Sequence, residues 1–400
     1  MIYLDNNATT RLDPRVLAAM MPFLTDNFAN AASTHPFGVG ANEAVKTARQ
    51  QVADLLHCET HELVFTSGAT EAINLAIKGV AENYAGRGDP AGGHPAGGHP
   101  AGGRHIVTVQ TEHKAVLDVC GYLETRGFEI TCLPVKPDGL LDLETLKAAL
   151  RPDTILVSVM LVNNETGVIQ PIREIAELAH AAGALMMTDA TQALGKLPLD
   201  VDDLNVDLLA FSAHKFYGPK GVGGLFVRQR RPRRVKLEAL LHGGGHERGL
   251  RSGTLNVPGI VGLGQAANLA RLELQEDTLR IGRLRDQLEA ALLGISGTRV
   301  NGPHGDANRA NRLYNVTNIF FENCDSDALI MGLDGMAVSN GSACTAASID
   351  PSHVLLAMGL NETEAFSCLR FSLGRFNSES ELAATVGAVK GVVEGLRAWV

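Results

Sequence analysis

Apolar segments rich in β-branched residues alternate along the chain with segments of amphipathic periodicity. The apolar segments predict buried strands at 106–109, 154–161, 185–188 and 208–211, and the amphipathic ones predict helices at 70–84, 143–150 and 172–182. Gly183 is typical of the position that follows a helix, and Pro171 of a first helical turn. This alternation predicts an α/β fold in which helices cover both faces of a mostly parallel sheet.

The pattern changes after about residue 255, where a long helical stretch at 260–293 precedes short strands such as 316–321. Since 400 residues exceed what one hydrophobic core usually supports, we predict two domains. The larger comprises 15–255 and binds a cofactor. The smaller is α+β and comprises 256–400, with the N-terminal segment 1–14 packed on it.

Polar residues follow the predicted strands where ligands of a parallel sheet bind, beyond the carboxyl ends. Lys215 follows 208–211 in the run Ser212-Ala-His214-Lys215, and Asp189 follows 185–188. A lysine at such a point is either a solvated loop residue or, in a dry pocket, an amine with a lowered pKa that forms a Schiff base with an aldehyde. A protonated pyridine nitrogen would neutralise the Asp189 carboxylate.

Three further polar runs follow predicted strands at the same edge of the sheet. Thr66-Ser-Gly-Ala-Thr70-Glu follows 63–65 and opens a helix, which makes an anion site, although this run alone also fits an ordinary capped helix. Thr111-Glu-His113 and Asn163-Asn164-Glu follow the strands at 106–109 and 154–161. Core packing does not explain so many polar strand ends, so they predict a cofactor site.

Together these motifs resemble the cysteine desulfurases of the class V aminotransferase superfamily. The resemblance runs from Tyr3-Leu-Asp-Asn-Asn-Ala-Thr-Thr10 to Arg370-Phe-Ser-Leu-Gly-Arg375 and includes the glycine-rich run from His242 to Thr254. It implies a fold type I enzyme with a seven-stranded sheet, pyridoxal 5′-phosphate as cofactor, L-cysteine as substrate and a homodimer with its sites at the subunit interface.

The resemblance also implies a role for individual residues. Lys215 carries the cofactor and is catalytic, Asp189 pairs with its pyridine nitrogen, and His113 stacks on its ring and is a candidate proton relay. The other implied contacts are Gln192 with the phenolic oxygen, Thr70, Ser212 and His214 with the phosphate, Ala69 with the cofactor, Asn164 with cofactor and substrate, Thr254 with the phosphate of the neighbouring subunit, and Arg370 with the substrate α-carboxylate.

The residues around Cys344 are small and polar, which predicts a mobile loop rather than packed core. The resemblance puts the persulfide-forming cysteine here, so Cys344 would take sulfur from L-cysteine, release L-alanine and supply iron–sulfur cluster assembly. No metal is expected in the free enzyme, although Cys344 would contact iron of a nascent cluster. The other five cysteines form no C-x-x-C pair, and each is expected to be a small buried residue.

Composition and charge narrow the functional classes. The formal net charge of −9 disfavours a general nucleic-acid-binding protein. No run approaches the ~20 apolar residues of a membrane helix, and the opening Met1-Ile-Tyr-Leu-Asp5 lacks a secretory signal. We therefore expect a cytoplasmic protein that binds neither nucleic acid nor membranes.

Several alternatives stay open. A selenocysteine lyase, another class V aminotransferase and a catalytically silent binding subunit are the competing functions. The basic run 228–234 is a solvated edge or a docking patch for an acidic accessory protein. The Ala-Gly-Gly-His-Pro repeat from Ala91 is a surface insertion or a weak metal site. Housekeeping members of the family continue beyond the position of Val400 into a tail used for scaffold docking, so the choice of acceptor, an iron–sulfur scaffold or another sulfur-accepting protein, stays open.

Overall fold

A computed structural model describes residues 1–85, 103–305, 310–341 and 350–398 of the chain. Its strands are β1 (Ile2–Tyr3), β2 (Leu63–Thr66), β3 (His105–Val109), β4 (Glu129–Leu133), β5 (Thr154–Ser158), β6 (Leu185–Asp189), β7 (Leu208–Ser212), β8 (Gly223–Val227), β9 (Thr298–Val300), β10 (Val316–Phe321), β11 (Met336–Ala337) and β12 (Cys368–Ser372). Its α-helices are α1 (Pro14–Thr25), α2 (Pro36–Leu56), α3 (Ala69–Tyr84), α4 (Lys114–Glu124), α5 (Leu143–Ala149), α6 (Ile172–Ala181), α7 (Val257–Leu293), α8 (Ser326–Gly332), α9 (His353–Ala357), α10 (Glu362–Ala365) and α11 (Glu379–Arg397).

A seven-stranded sheet in the order β2-β8-β7-β6-β5-β3-β4 forms the centre of the fold. Only β8 runs against the other six strands, because it pairs antiparallel with both β2 and β7. Successive side chains enter different cores: Val107 packs on the face covered by α2, α6 and α7, and Ile106 on the face covered by α3 and α4. The predicted α/β fold with a mostly parallel, helix-covered sheet is confirmed.

The predicted boundaries hold to within a few residues, with two informative exceptions. Pro171 precedes α6 as its N-cap instead of lying in its first turn, while Gly183 follows the helix with φ +82° as expected of a C′ glycine. The strand predicted at 154–161 ends at Ser158. Beyond it, the Met160 amide donates to the Glu112 side chain, so this part of the ladder to β3 is replaced by a side-chain contact.

A second, antiparallel sheet in the order β12-β10-β9 packs against α8, α11 and the second half of α7. The N-terminal strand β1 pairs in parallel with β11, and Leu4 is buried in the same core. The first half of α7 packs instead against the seven-stranded sheet. Because α7 packs in both cores, the division into two domains stays a prediction. The larger predicted domain is 15–255, and the smaller one combines 1–14 and 256–400. In the described part of the chain, no helix combines the length and apolar character needed to cross a membrane.

Candidate active site

A cavity of about 490 Å³ opens where the parallel strands of the large sheet end. It brings together ten of the residues singled out in the sequence: Ala69, Thr70, His113, Asn164, Asp189, Gln192, Ser212, His214, Lys215 and Arg370. Thr254 is exposed and is not among the lining residues of this one chain. Cys344 and the Ala-Gly-Gly-His-Pro repeat lie outside the described residues. Gly341, which lines the cavity, directly precedes residues 342–349, the cysteine segment, which contains Cys344.

Lys215 ends a short 3₁₀ turn that follows β7, and its amine is held by the N-terminal segment. Nζ donates to the carbonyl oxygens of Asn7 at 2.8 Å and Ala8 at 2.7 Å. The same segment also bonds to the backbone beside the lysine, since the Thr10 amide donates to the His214 carbonyl at 2.9 Å. Residues from the start of the chain therefore form the wall that orients this amine.

Asp189 is the last residue of β6 and is 6% exposed. Its Oδ1 accepts from the Thr191 amide at 2.9 Å, which fixes the carboxylate at the strand end. Behind it lies Glu112, whose pKa is raised well above its ordinary value by burial and, to a smaller extent, by Asp189. Both effects favour the protonated form of Glu112, which carries no second negative charge beside Asp189.

The first turn of α3 lines the cavity and is a candidate anion site. Its unsatisfied amides and positive helix end favour a phosphate. A Cβ on Gly223 of the neighbouring β8 would lie 2.7 Å from the Gly68 Cα, so only glycine allows the two backbones to approach there. Glu71 in the same turn pairs with Arg251 at 2.8 Å, which offsets the carboxylate charge next to this anion site.

His214 also lines the cavity, with Nδ1 3.0 Å from Thr9 Oγ1. Its pKa is lowered to about 4, mainly by burial and then by Lys215, Lys220 and Lys196. The ring is therefore neutral near pH 7 and contributes hydrogen bonding rather than charge. A neutral donor suits a phosphate that the helix end already stabilises.

His113 is the N-cap of α4 and lines the cavity. Its Nδ1 accepts from the Ala115 amide at 3.1 Å. In the neutral ring the proton is thus on Nε2, so the helix start sets both the orientation and the tautomer of this histidine.

Arg370 lies on β12 and is 3% exposed, although its guanidinium lines the cavity. Nη2 pairs with Asp5 at 2.6 Å and Nη1 donates to the Asn164 carbonyl at 3.0 Å. Nε has no hydrogen-bond partner among the described residues. A nearly buried cation at the cavity, with an Nε that is itself buried and unsatisfied, fits a site for a carboxylate.

Glu165 connects the two described ends of the cysteine segment. It accepts a hydrogen bond from Ser352, which follows the segment. A Cβ on Gly341, which precedes the segment, would lie 2.4 Å from Glu165 Oε2. Burial raises the pKa of Glu165 to about 7, against smaller lowering effects of Ser352, Arg370 and His113.

The five described cysteines differ from the expectation in their exposure but share a raised pKa. Three are buried, Cys58 is half-buried and Cys132 is exposed. Desolvation is the first cause of the raised pKa in each, and the pKa values of Cys58, Cys120 and Cys368 reach about 12. None of the five lines the cavity, and a high pKa keeps them as unreactive thiols.

Several arginines of the basic run 228–234 form ion pairs with carboxylates of the same chain. Arg228 is buried and pairs with Asp202 at 2.7 Å, as does Arg230 at 2.9 Å, while Arg233 pairs with Asp207 at 3.0 Å. Three of its five arginines thus form ion pairs within the chain, and Arg234 donates to Gln229 at 3.0 Å. This arrangement favours a structural edge over a docking patch.

Sequence reasoning missed three residues that organise the cavity. Asn7 and Glu165 lie in segments whose neighbours were recognised, and Lys196 lies four residues after Gln192. Their signal is weak because the contacts join segments that are far apart in the sequence: Asn7 bonds to Gln192, Lys196, Lys215 and Asn315.

Comparisons with known proteins extend over nearly the whole chain. The family described as Aminotransferase class-V matches residues 2–384. Cysteine desulfurase IscS of Haemophilus influenzae (strain PittGG) is 50% identical over 400 residues, which cover 99% of this chain and 94% of the relative. A NifS-like protein superposes with a TM-score of 0.88 at 37% identity, covering 98% of this chain and 99% of its own. SspA, solved in complex with cysteine, superposes with a TM-score of 0.78 at 37% identity, covering 94% of this chain and 100% of its own.

Proposed function

The chain belongs to the aminotransferase class-V family, and from this premise we propose that its cavity binds pyridoxal 5′-phosphate and acts on L-cysteine. It is an enzyme of the cysteine desulfurase type. The observation that carries the cofactor proposal is the convergence of Lys215, Asp189 and the first turn of α3 in one cavity. These groups match an aldehyde, a pyridine nitrogen and a phosphate, respectively.

The fit extends to the details of the cavity. The close approach of Gly68 and Gly223 leaves a cradle that a Cβ would fill, and Asp189 is buried with its orientation fixed. When bound, the cofactor supplies an aldehyde that condenses with amines and a ring that accepts electrons from the substrate Cα. Ala69, Thr70, Ser212 and His214 would hold the phosphate, His113 and Gln192 the ring, and Thr254 the phosphate of a second subunit in a homodimer.

Lys215 is proposed to hold the aldehyde carbon and then to move the Cα proton of the substrate. Its amine is directed by two carbonyl oxygens, which accept hydrogen bonds without neutralising it. His113, protonated on Nε2 in its neutral form, is a second group that can pass a proton at the cavity wall.

Arg370 is proposed to bind the α-carboxylate of L-cysteine, with Asn164 beside it. Nη2 supplies one donor when the carboxylate takes the place of Asp5, and the same displacement would open access to the buried, unsatisfied Nε. The planar guanidinium then makes a two-point contact that orients the substrate Cα and sulfur.

Cys344 is proposed to receive the sulfur. Its thiolate attacks the substrate sulfur, a sulfur–sulfur bond forms, and the carbon–sulfur bond breaks with its electron pair left on carbon. Protonation of that carbon, with return of a proton to Cα by Lys215, releases L-alanine, and the enzyme keeps a persulfide. The support is indirect: the described cysteines have raised pKa values and lie outside the cavity, whereas the segment that carries Cys344 leaves from Gly341 on the cavity wall.

We further propose that the persulfide supplies an iron–sulfur scaffold or another sulfur-accepting protein, with Cys344 contacting the nascent cluster. A cytoplasmic location is proposed with it, because the five described cysteines are all unpaired thiols, as is usual in a reducing compartment.

The test is an absorption spectrum of the purified protein with pyridoxal phosphate, followed by an assay for alanine and sulfide from L-cysteine. We expect a visible band, equal amounts of the two products under reducing conditions, and loss of both band and products in Lys215→Ala. Conversion of the cofactor to its amine form without sulfide would indicate an aminotransferase. Turnover of selenocysteine alone would indicate a selenocysteine lyase, and a colourless protein would contradict the proposal.

A further inference from the structure

Lys196 is a second buried lysine beside the cavity that the proposed chemistry does not use. Its residue is 3% exposed, and Nζ donates to Gln192 Oε1 at 2.8 Å and to Asn7 Oδ1 at 3.4 Å. Both recorded acceptors are neutral amide oxygens. Burying an amine without a carboxylate partner is unfavourable, and here burial lowers its pKa well below the ordinary value, as do Lys215 and Arg370. A packing role alone would be served better by an apolar side chain.

The contacts of Lys196 determine which way the Gln192 amide points. A side-chain amide has an oxygen that only accepts and a nitrogen that only donates, and a reversal exchanges the two. Lys196 Nζ donates to the amide oxygen of Gln192, so this oxygen faces Lys196. On the other side the Asn7 carbonyl only accepts, and it receives Gln192 Nε2 at 2.8 Å. The two neighbours therefore select the same orientation.

This orientation has a consequence for the cavity, which Gln192 lines. Its Nε2 carries two hydrogens, and the Asn7 carbonyl takes one. The other can be offered to an anionic oxygen bound in the cavity, whereas the reversed amide would present an oxygen and repel it. We propose that Lys196 is a positioning residue that holds the Gln192 amide with its nitrogen available to the phenolic oxygen of the cofactor. This inference rests on the proposed cofactor.

The experiment measures the dissociation constant of pyridoxal phosphate and the maximum of the visible band in Lys196→Met, Gln192→Leu and the double variant. Lys196→Met should weaken cofactor binding about tenfold, the loss expected for one hydrogen bond to a charged oxygen, and shift the band. If Lys196 acts through Gln192, the double variant should resemble Gln192→Leu alone. Lys147→Met, on the exposed side of α5, is the matched control and should change neither quantity.

A second variant keeps the test decisive if Lys196→Met does not fold. Gln192→Glu has nearly the same volume and retains an oxygen for Lys196, but when ionised it has no N–H to offer. It should weaken binding at least as much as Lys196→Met. Unchanged binding in Gln192→Glu, or additive losses in the double variant, would overturn the role of Lys196 while leaving the cofactor site intact. Absence of cofactor binding by the wild-type protein would instead overturn the proposed function, and this inference with it.

Discussion

Replacing Glu165 with glutamine should change how the stability of the protein depends on pH. Glu165 is 3% exposed, and burial raises its pKa from 4.5 to about 7. Because the folded state holds this proton more tightly than the unfolded state, the free energy of unfolding falls as the pH rises between these two values. At about 1.4 kcal/mol per pKa unit, the whole window is worth about 3 kcal/mol.

Glutamine preserves the volume and still offers an oxygen to Ser352, but it does not ionise. The variant should therefore become more stable than the wild type as the pH rises, with a difference that grows by about 2.5 kcal/mol between about pH 5 and about pH 8. Urea-induced unfolding at both pH values measures this difference. Glu174→Gln on the exposed surface of α6 serves as the control. Equal pH dependence in Glu165→Gln and the wild type would refute the raised pKa of Glu165.

Three other variants test the proposed site. Cys344→Ser should keep the visible band of the bound cofactor yet lose sulfide release, and unimpaired release in a product assay would reject the role of Cys344. Arg370→Lys should raise the KM for L-cysteine ~10–100-fold, because lysine cannot make the two-point contact; steady-state kinetics with an unchanged KM would contradict it. The pKa of His214 is lowered to about 4, so its contribution to the free energy of unfolding is lost as the pH falls from 6.5 towards 4. His214→Gln should therefore show a smaller loss of the free energy of unfolding over this pH range, as measured by urea-induced unfolding.

The sequence could predict those parts of the fold and the site that show in the apolar or polar character of a single segment. Strands such as β5 and β6 are buried on both faces, so their apolar runs are visible without any knowledge of their neighbours. Lys215 and Asp189 follow such runs directly, and their position at the sheet edge comes from strand direction alone.

The remaining features depend on contacts between distant segments. The strand predicted to end at Leu161 stops at Ser158 because the Met160 amide is taken by the Glu112 side chain. Likewise, the contact of Lys196 with Asn7 joins residues that are 189 positions apart in the sequence. Neither contact leaves a periodic pattern, so no reading of one segment could predict it.

The docking of the N-terminal segment onto β12 also sets the order in which the enzyme can be completed during synthesis. The Asn6 side chain donates to the Ser372 carbonyl and the Asn7 amide to the Ser372 hydroxyl, each at 2.9 Å. These two contacts of the N-terminal segment can therefore form only after residue 372 has left the ribosome. A nascent chain can build the large sheet early, but Arg370 joins the cavity only when β12 has been translated.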